Sequence, residues 1–286
     1  MTTHPTAPRR TARRQELLRV AGHRVAVEVQ EGATHLMLLN GIGGGRALWE
    51  PLRAALPADV GTISYDAPGC GASPPARHPL AIADQARIAA GVLEWAGVGP
   101  VDVLGFSFGG MVAQQLARDL PDAVRRLVLV ATGPGVGSVP GTPLAYALLL
   151  SPHMSNPLWM RQAAPYLFGG GLARRPEQID RHARRYAQPV DVLSYLGQIQ
   201  AATTWTSVPW AGRVRQPTLV IAGDEDPLVP ACNAGLLAAL LPAARAHVVR
   251  GGGHLMLLDS AREVAPLITG FLAAADPLAG RAPREG

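Results

Sequence analysis

Short apolar runs bounded by turn residues recur along the chain, and helical patterns stand between them. Arg24 to Gln30 alternates Val25, Val27 and Val29 with polar or small residues and reads as an antiparallel strand. Leu36–Leu39, Val60–Tyr65, Val101–Leu104, Leu127–Ala131, Thr218–Ala222 and His247–Val249 are near-continuous in apolar residues instead. Such a strand is covered on both faces, which is the condition of a mostly parallel sheet. Helical spacing covers Ala81–Trp95, Phe108–Leu120, Asn233–Leu241 and Arg262–Ala274. Strand and helix alternate, so the expected core is α/β, a mostly parallel sheet flanked by helices with right-handed crossovers.

The alternation breaks between Pro134 and Trp210. This segment holds Tyr146, Trp159, Tyr166, Phe168, Tyr186, Tyr195, Trp205 and Trp210, eight of the 14 aromatic residues. It also holds Leu144, Leu148 to Leu150 and Gly169-Gly170-Gly171. Sites in α/β enzymes lie beyond the carboxyl ends of the strands. The expected organisation is therefore a helical lid at 134–210 over a core built from 15–133 and 211–275. Residues 1–14 read as a disordered Arg-rich tail and 276–286 as a C-terminal tail. The blander reading of 134–210 is a peripheral helical subdomain packing its own small core. On the lid reading, Trp159, Phe168 and Trp205 are candidate substrate-binding residues.

Composition narrows the partners. The 286 residues are 48% hydrophobic and only 16% charged, which excludes a disordered chain. The net charge is +5, and all 26 basic residues are Arg. Arg9, Arg10, Arg13 and Arg14 lie in the first 14 residues with no acid among them, so the remainder carries +1. A basic excess confined to a tail argues against a nucleic-acid partner. Arg13-Arg14 resembles a twin-arginine signal, but His23, Arg24, Glu28 and Glu31 interrupt any apolar stretch after it. No run reaches the length of a membrane span, so a cytoplasmic protein is expected. Cys70 and Cys232 are too few for a disulfide framework or a zinc site.

Gly105-Phe106-Ser107-Phe108-Gly109 follows one expected strand and opens an expected helix. In G-x-S-x-G the serine occupies a strained strand-to-helix turn that projects its hydroxyl, with small residues on either side. Ser107 is thus the candidate nucleophile. Of eight histidines, His254 follows Gly251-Gly252-Gly253 just after the last strand, where a loop can bring its imidazole over the serine. No Asp or Glu lies between Asp122 and Glu177, so the acid is sought after Thr218–Ala222, in Gly223-Asp224-Glu225-Asp226-Pro227. Asp226 is the first choice and Asp224 the second. The order Ser107, Asp226, His254 is nucleophile, acid, base. An oxyanion hole needs two N–H donors. The Phe108 amide is one, and the Ile42 amide in Asn40-Gly41-Ile42-Gly43-Gly44-Gly45 is the other. That glycine run lacks the Gly-Lys-Ser/Thr ending of a phosphate-binding loop.

The chain resembles the α/β-hydrolase superfamily and, within it, the intracellular depolymerases of medium-chain-length poly(3-hydroxyalkanoate). The likeness runs from about residue 36 to 272. It is carried by Asn40-Gly41-Ile42-Gly43, Asp66-Ala67-Pro68-Gly69-Cys70-Gly71 and Arg77-His78-Pro79. In the insertion it is carried by Tyr166 through Gly171, Arg174-Arg175-Pro176-Glu177 and Trp205-Thr206-Ser207. Gln216 through Val220, Gly223 through Pro230 and Gly253-His254-Leu255 complete it. Phe106 and Phe108 differ from the Val and Trp that flank the serine in that family, which bears on pocket shape. The resemblance implies an α/β-hydrolase fold, Ser107, Asp226 and His254 as the triad, and no metal or organic cofactor. It implies hydrolysis of a polyester through an acyl-enzyme, and brings a polymer granule surface into view as a partner. The alternative is a carboxylesterase or lactonase on small soluble esters. A non-catalytic binding protein is a third reading, set against a complete triad.

Overall fold

The structure is a computed structural model that describes residues 13–151, 156–175, 177–179 and 189–275. Eight strands form one sheet: β1 (Arg13–Val20), β2 (His23–Gln30), β3 (Thr34–Leu39), β4 (Val60–Tyr65), β5 (Val101–Phe106), β6 (Val124–Val130), β7 (Thr218–Gly223) and β8 (Ala244–Val249). Their order is β1-β2-β4-β3-β5-β6-β7-β8. β1 and β2 run antiparallel to their neighbours, and the pairs from β4 through β8 are parallel.

Side chains alternate along each strand, so every apolar run feeds two cores. Met37, Val103, Leu127, Leu129 and Val220 face one layer, with Ile88 and Val92 of α2 (Ile82–Ala96), Val112 and Leu116 of α3 (Phe108–Asp119) and Leu237 of α8 (Cys232–Leu240). Leu36, Leu38, Leu104, Val128 and Ile221 face the other, with Leu52 of α1 (Glu50–Ala55) and Val264, Ile268 and Phe271 of α10 (Ala261–Ala273). β3 to β7 are buried on both faces over their apolar runs, whereas β8, the edge strand, is exposed or half-buried beyond Ala244 although its apolar run was expected to be covered.

Between β6 and β7 the chain forms α4 (Pro143–Leu149), α5 (Pro157–Phe168), α6 (Gly170–Arg174) and α7 (Val192–Thr204). Side-chain caps start three of them: Thr142 accepts from the Ala145 amide, Asn156 from Leu158 and Trp159, and Asp191 from Ser194. A short helix, α9 (Met256–Asp259), follows His254. Among the described residues no helix is long and apolar enough to cross a membrane.

One expectation is corrected. Arg13 and Arg14, assigned to the tail, open strand β1, whose partners run from Arg13 opposite Gln30 to Val20 opposite His23. The Arg13 guanidinium pairs with Glu50, and that of Arg14 lies 4.2 Å above the Trp95 ring. Leu18 is the one fully buried residue of β1. An edge strand of this kind carries charge and little apolar pattern. Residues 1–12 and 276–286 lie outside the described residues, as do Tyr186, His153 and His182.

Candidate active site

β5 ends at Phe106 and α3 begins at Phe108, so Ser107 alone makes the turn. Its backbone sits at φ 52° and ψ −118°, a conformation that costs a non-glycine residue about 1–3 kcal/mol. Hydrogen bonds to its backbone hold it there, among them one from the Gly110 amide to the Ser107 carbonyl at 2.9 Å. The Ser107 N–H donates to the Val130 carbonyl at 2.9 Å, and the Thr132 hydroxyl donates to the Ser107 carbonyl at 2.7 Å. The flanking glycines are a matter of space. A Cβ at 109 would stand 2.1 Å from the Leu39 carbonyl oxygen, and one at 105 would stand 2.4 Å from the Gly109 oxygen.

His254 reaches the serine from the loop after β8. Its Nε2 lies 3.1 Å from Ser107 Oγ, and its Nδ1 lies 2.8 Å from Asp226 Oδ2. The ring sits between two phenylalanines: Phe106 at 5.2 Å between centroids, and Phe168 at 6.5 Å and nearly parallel. The His254 N–H donates to the Phe168 carbonyl at 2.7 Å, which fixes the backbone as well. The imidazole and the Asp226 carboxylate are both buried. Since an ionised carboxylate can only accept, Nδ1 carries the proton and Nε2 is free to accept from Ser107.

The three consecutive acids have three different partners. Asp226 Oδ1 accepts from the Leu228 and Val229 amides at 2.8 and 2.9 Å, which turns Oδ2 toward His254. Asp224 Oδ1 accepts from the Gly251 amide at 2.6 Å. Glu225 pairs with Arg174, which also donates to the Gly251 carbonyl at 2.7 Å. Asp224 and Arg174 thus join the acid-bearing loop to the histidine-bearing loop.

The loop after β3 lies against the serine: a Cβ at Gly41 would be 3.3 Å from Ser107 Cβ. Among the described residues, neither the Ile42 amide nor the Phe108 amide donates to a protein acceptor. The Phe108 amide opens α3, where the helix dipole also favours negative charge. The arrangement can therefore deprotonate a hydroxyl at Ser107 and receive a developing oxyanion beside it.

The three lid aromatics part company. Phe168 is buried against His254, and Trp159 packs half-buried on the apolar cluster that contains Phe106 and Phe168. Trp205 is not brought to this cluster. Its indole N–H donates to Gln115 at 2.9 Å, two turns along α3 from Ser107, and its ring meets Trp210 edge-on. The indole ties the end of α7 to α3, and the residue packs, as Ile42 does, on the cluster that contains Phe108. Three residues take parts at the site that the sequence did not disclose. Phe106 was read only for its bearing on pocket shape, whereas its ring also lies 5.2 Å from that of His254. Arg174 and Gln198 carry no local signal, since the groups they bind are 51 to 155 residues away.

The family model for the alpha/beta hydrolase fold matches residues 34–261. The chain belongs to the alpha/beta hydrolases. A poly(3-hydroxyalkanoate) depolymerase of Ectopseudomonas oleovorans is 39% identical to this hydrolase over 252 residues, covering 87% of this chain and 88% of that protein. A hydrolase from Pseudomonas aeruginosa PA01 superposes with a TM-score of 0.76 at 25% identity, over 91% of this chain and 98% of that one. The enol-lactonase of Burkholderia xenovorans LB400 superposes with a TM-score of 0.78 over 91% of this chain and 100% of that one. At 22% identity that likeness is one of fold alone. The resemblance and the fold class expected from the motifs are both borne out.

Proposed function

We propose that this alpha/beta hydrolase is a serine hydrolase that cleaves ester bonds of poly(3-hydroxyalkanoate), medium-chain-length polymer in preference, through an acyl-enzyme. The observation that carries the reading is the continuous contact from Ser107 through His254 to Asp226, at 3.1 and 2.8 Å. It stands in a chain 39% identical to a poly(3-hydroxyalkanoate) depolymerase.

The chemistry follows from the geometry. His254 Nε2 takes the Ser107 proton as Oγ attacks the ester carbonyl carbon, and the carbonyl electrons move onto oxygen. The Ile42 and Phe108 amides bind that oxyanion. His254 gives the proton to the leaving alkoxide, which departs as the hydroxyl end of a shortened chain. A water activated by His254 then attacks the acyl-enzyme and releases a 3-hydroxy acid or oligomer. Asp226 holds the imidazole in the tautomer that accepts from serine and stabilises its charged form.

The insertion is the proposed lid. Among the described residues, 11 of the 14 exposed large hydrophobic side chains lie in it, including Leu158, Tyr166, Val192 and Leu193. An apolar surface of that kind suits aliphatic side chains and the surface of a polymer granule in the cytoplasm.

Suspensions of medium-chain and short-chain polymer, offered side by side to the full-length protein, test the reading. The medium-chain suspension clears faster, and Ser107→Ala clears neither. Turnover of p-nitrophenyl esters without clearing of either polymer would move the assignment to a carboxylesterase or lactonase.

A further inference from the structure

The oxyanion loop 40–45 is held less by itself than by a helix about 150 residues later in the chain. Within the loop, the Gly44 amide donates to the Gly41 carbonyl at 3.1 Å. Among the described residues, one side-chain hydrogen bond reaches residues 40–45: the Gly43 amide donates to Gln198 Oε1 at 2.8 Å. Gln198 lies on α7, and its side chain is buried. Its Nε2 points the other way, to Cys70 Sγ at 3.4 Å. Burial pushes the Cys70 thiol up to about 11, so it stays protonated and serves as packing rather than as a nucleophile.

Two further features tie the loop to α7. Gly43 sits at φ 67°, and a Cβ there would meet the Tyr195 ring at 3.0 Å, so the helix lies directly on it. The start of α7 is itself anchored, because the Asp191 amide donates to the Gly69 carbonyl at 2.8 Å. Behind the loop, packing is incomplete. A cavity of about 20 Å³, room for about one water, is lined by Gly41, Phe108, Gly109 and Gln198 among others. The loop is therefore held from α7 by the bond to Gln198 and by the Tyr195 ring against Gly43.

We propose that Gln198 is a positioning residue for the oxyanion hole: by accepting from Gly43 it fixes the turn that presents the Ile42 amide to the developing negative charge. The inference rests on the serine-hydrolase reading above. It makes the insertion a structural part of the catalytic machinery, whatever ester is bound.

The test uses the full chain with p-nitrophenyl octanoate and with an alkyl trifluoromethyl ketone. Ser107 Oγ adds to that ketone's carbonyl carbon while its proton passes to His254 Nε2, the carbonyl electrons go to oxygen, and the resulting oxyanion occupies the hole. Gln198→Met keeps the volume and removes the acceptor; Gln198→Asn keeps an amide too short to reach Gly43. Both lower kcat about 10- to 100-fold with KM little changed, less than the about 10²–10³ lost with a whole donor. The inhibition constant of the ketone rises by the factor by which kcat/KM falls, as for any transition-state mimic. Cys70→Ser, which leaves the Gly43 bond alone, keeps kcat within about twofold.

The proposal is overturned if either Gln198 variant that folds keeps the wild-type kcat. A fall in kcat with the ketone's affinity unmoved overturns it too, as does an equal loss in Cys70→Ser. Failure of the underlying reading looks different: Ser107→Ala would then retain the wild-type turnover that the Gln198 comparison starts from.

Discussion

Replacing Asp226 by Asn would leave a side chain of the same shape with an amide facing His254. Oδ1 could still accept from Leu228 and Val229, at 2.8 and 2.9 Å in the present structure. The NH₂ group would then donate to Nδ1 and force the proton to Nε2, the tautomer that cannot accept from serine. Asp226→Asn is expected to lower kcat about 10⁴-fold with little change in stability. Asp224→Asn keeps an oxygen for the Gly251 amide and is expected to keep kcat within about tenfold, since a single hydrogen bond is worth about 1 kcal/mol. Steady-state kinetics on a soluble ester separates the two, and the reverse ranking would move the acid to Asp224. Sequence alone confined the acid to one loop because no other acid was in reach. It placed Asp226 ahead of Asp224, but which carboxylate the turn aims inward is visible only in the fold. Ser107 and His254 were legible because a steric rule and a strand end fix where they stand.

At the scale of elements, the strand and helix positions were read to within a few residues where burial is two-sided. β5 extends past its expected end at Leu104 to Phe106, through the motif glycine, and β6 begins earlier, at Val124. Arg125 and Arg126 were passed over in β6 because they are charged. Arg125 pairs with the buried Asp102, and Arg126 donates to the carbonyls of Phe271, Leu272 and Ala274, so both charges are answered at the strand's start. β1 escaped for the same reason, and its attachment is polar. Glu28 on β2 pairs with Arg53 on α1, whose side chain is 1% exposed and also donates to Thr62 and Ser64. Glu28→Ala is expected to destabilise by about 3 kcal/mol, read as a lower urea midpoint at unchanged slope, because it leaves a buried guanidinium short of its partner. Asp259, at the end of α9, bears on the contact with α6. Burial raises its carboxyl above the ordinary range, and among the described residues one of its oxygens has no hydrogen-bond partner. The folded chain keeps that proton where the unfolded chain has lost it. The stability this contributes is whole below the unfolded value and is lost as pH rises through the raised one. Asp259→Asn is therefore expected to raise the Tm at pH 8 and to leave it nearly unchanged at pH 3.5. A variant that melts lower at pH 8 would show that attraction to Arg174 and Arg175 outweighs burial.

For the molecule as a whole, the +5 net charge says less about partners than it first suggests. Two of the four early arginines belong to an edge strand and are engaged there, Arg13 with Glu50 and Arg14 over Trp95. The uneven property is apolar exposure, which concentrates in the insertion. On the polyester reading, that surface meets an insoluble substrate while the triad meets one ester at a time. Leu158→Ser with Leu193→Ser, both 76% exposed in the parent, is expected to slow clearing of medium-chain polymer several-fold and to spare soluble-ester kcat. Equal loss on both substrates would place those leucines in the folding of the insertion instead. The composition of 134–210 set it apart from the alternating strands and helices of the rest. What it could not disclose was the joining of Gln198 to Gly43 and of Arg174 to Glu225, because such pairings exist only once the chain is closed. Everything downstream depends on Ser107 acting as a covalent nucleophile. Peptide mapping after treatment with a fluorophosphonate measures that directly. One adduct per chain is expected on the peptide carrying Ser107, absent in Ser107→Ala and formed far more slowly in His254→Ala. Labelling of another residue, or equal labelling of Ser107→Ala, would contradict it.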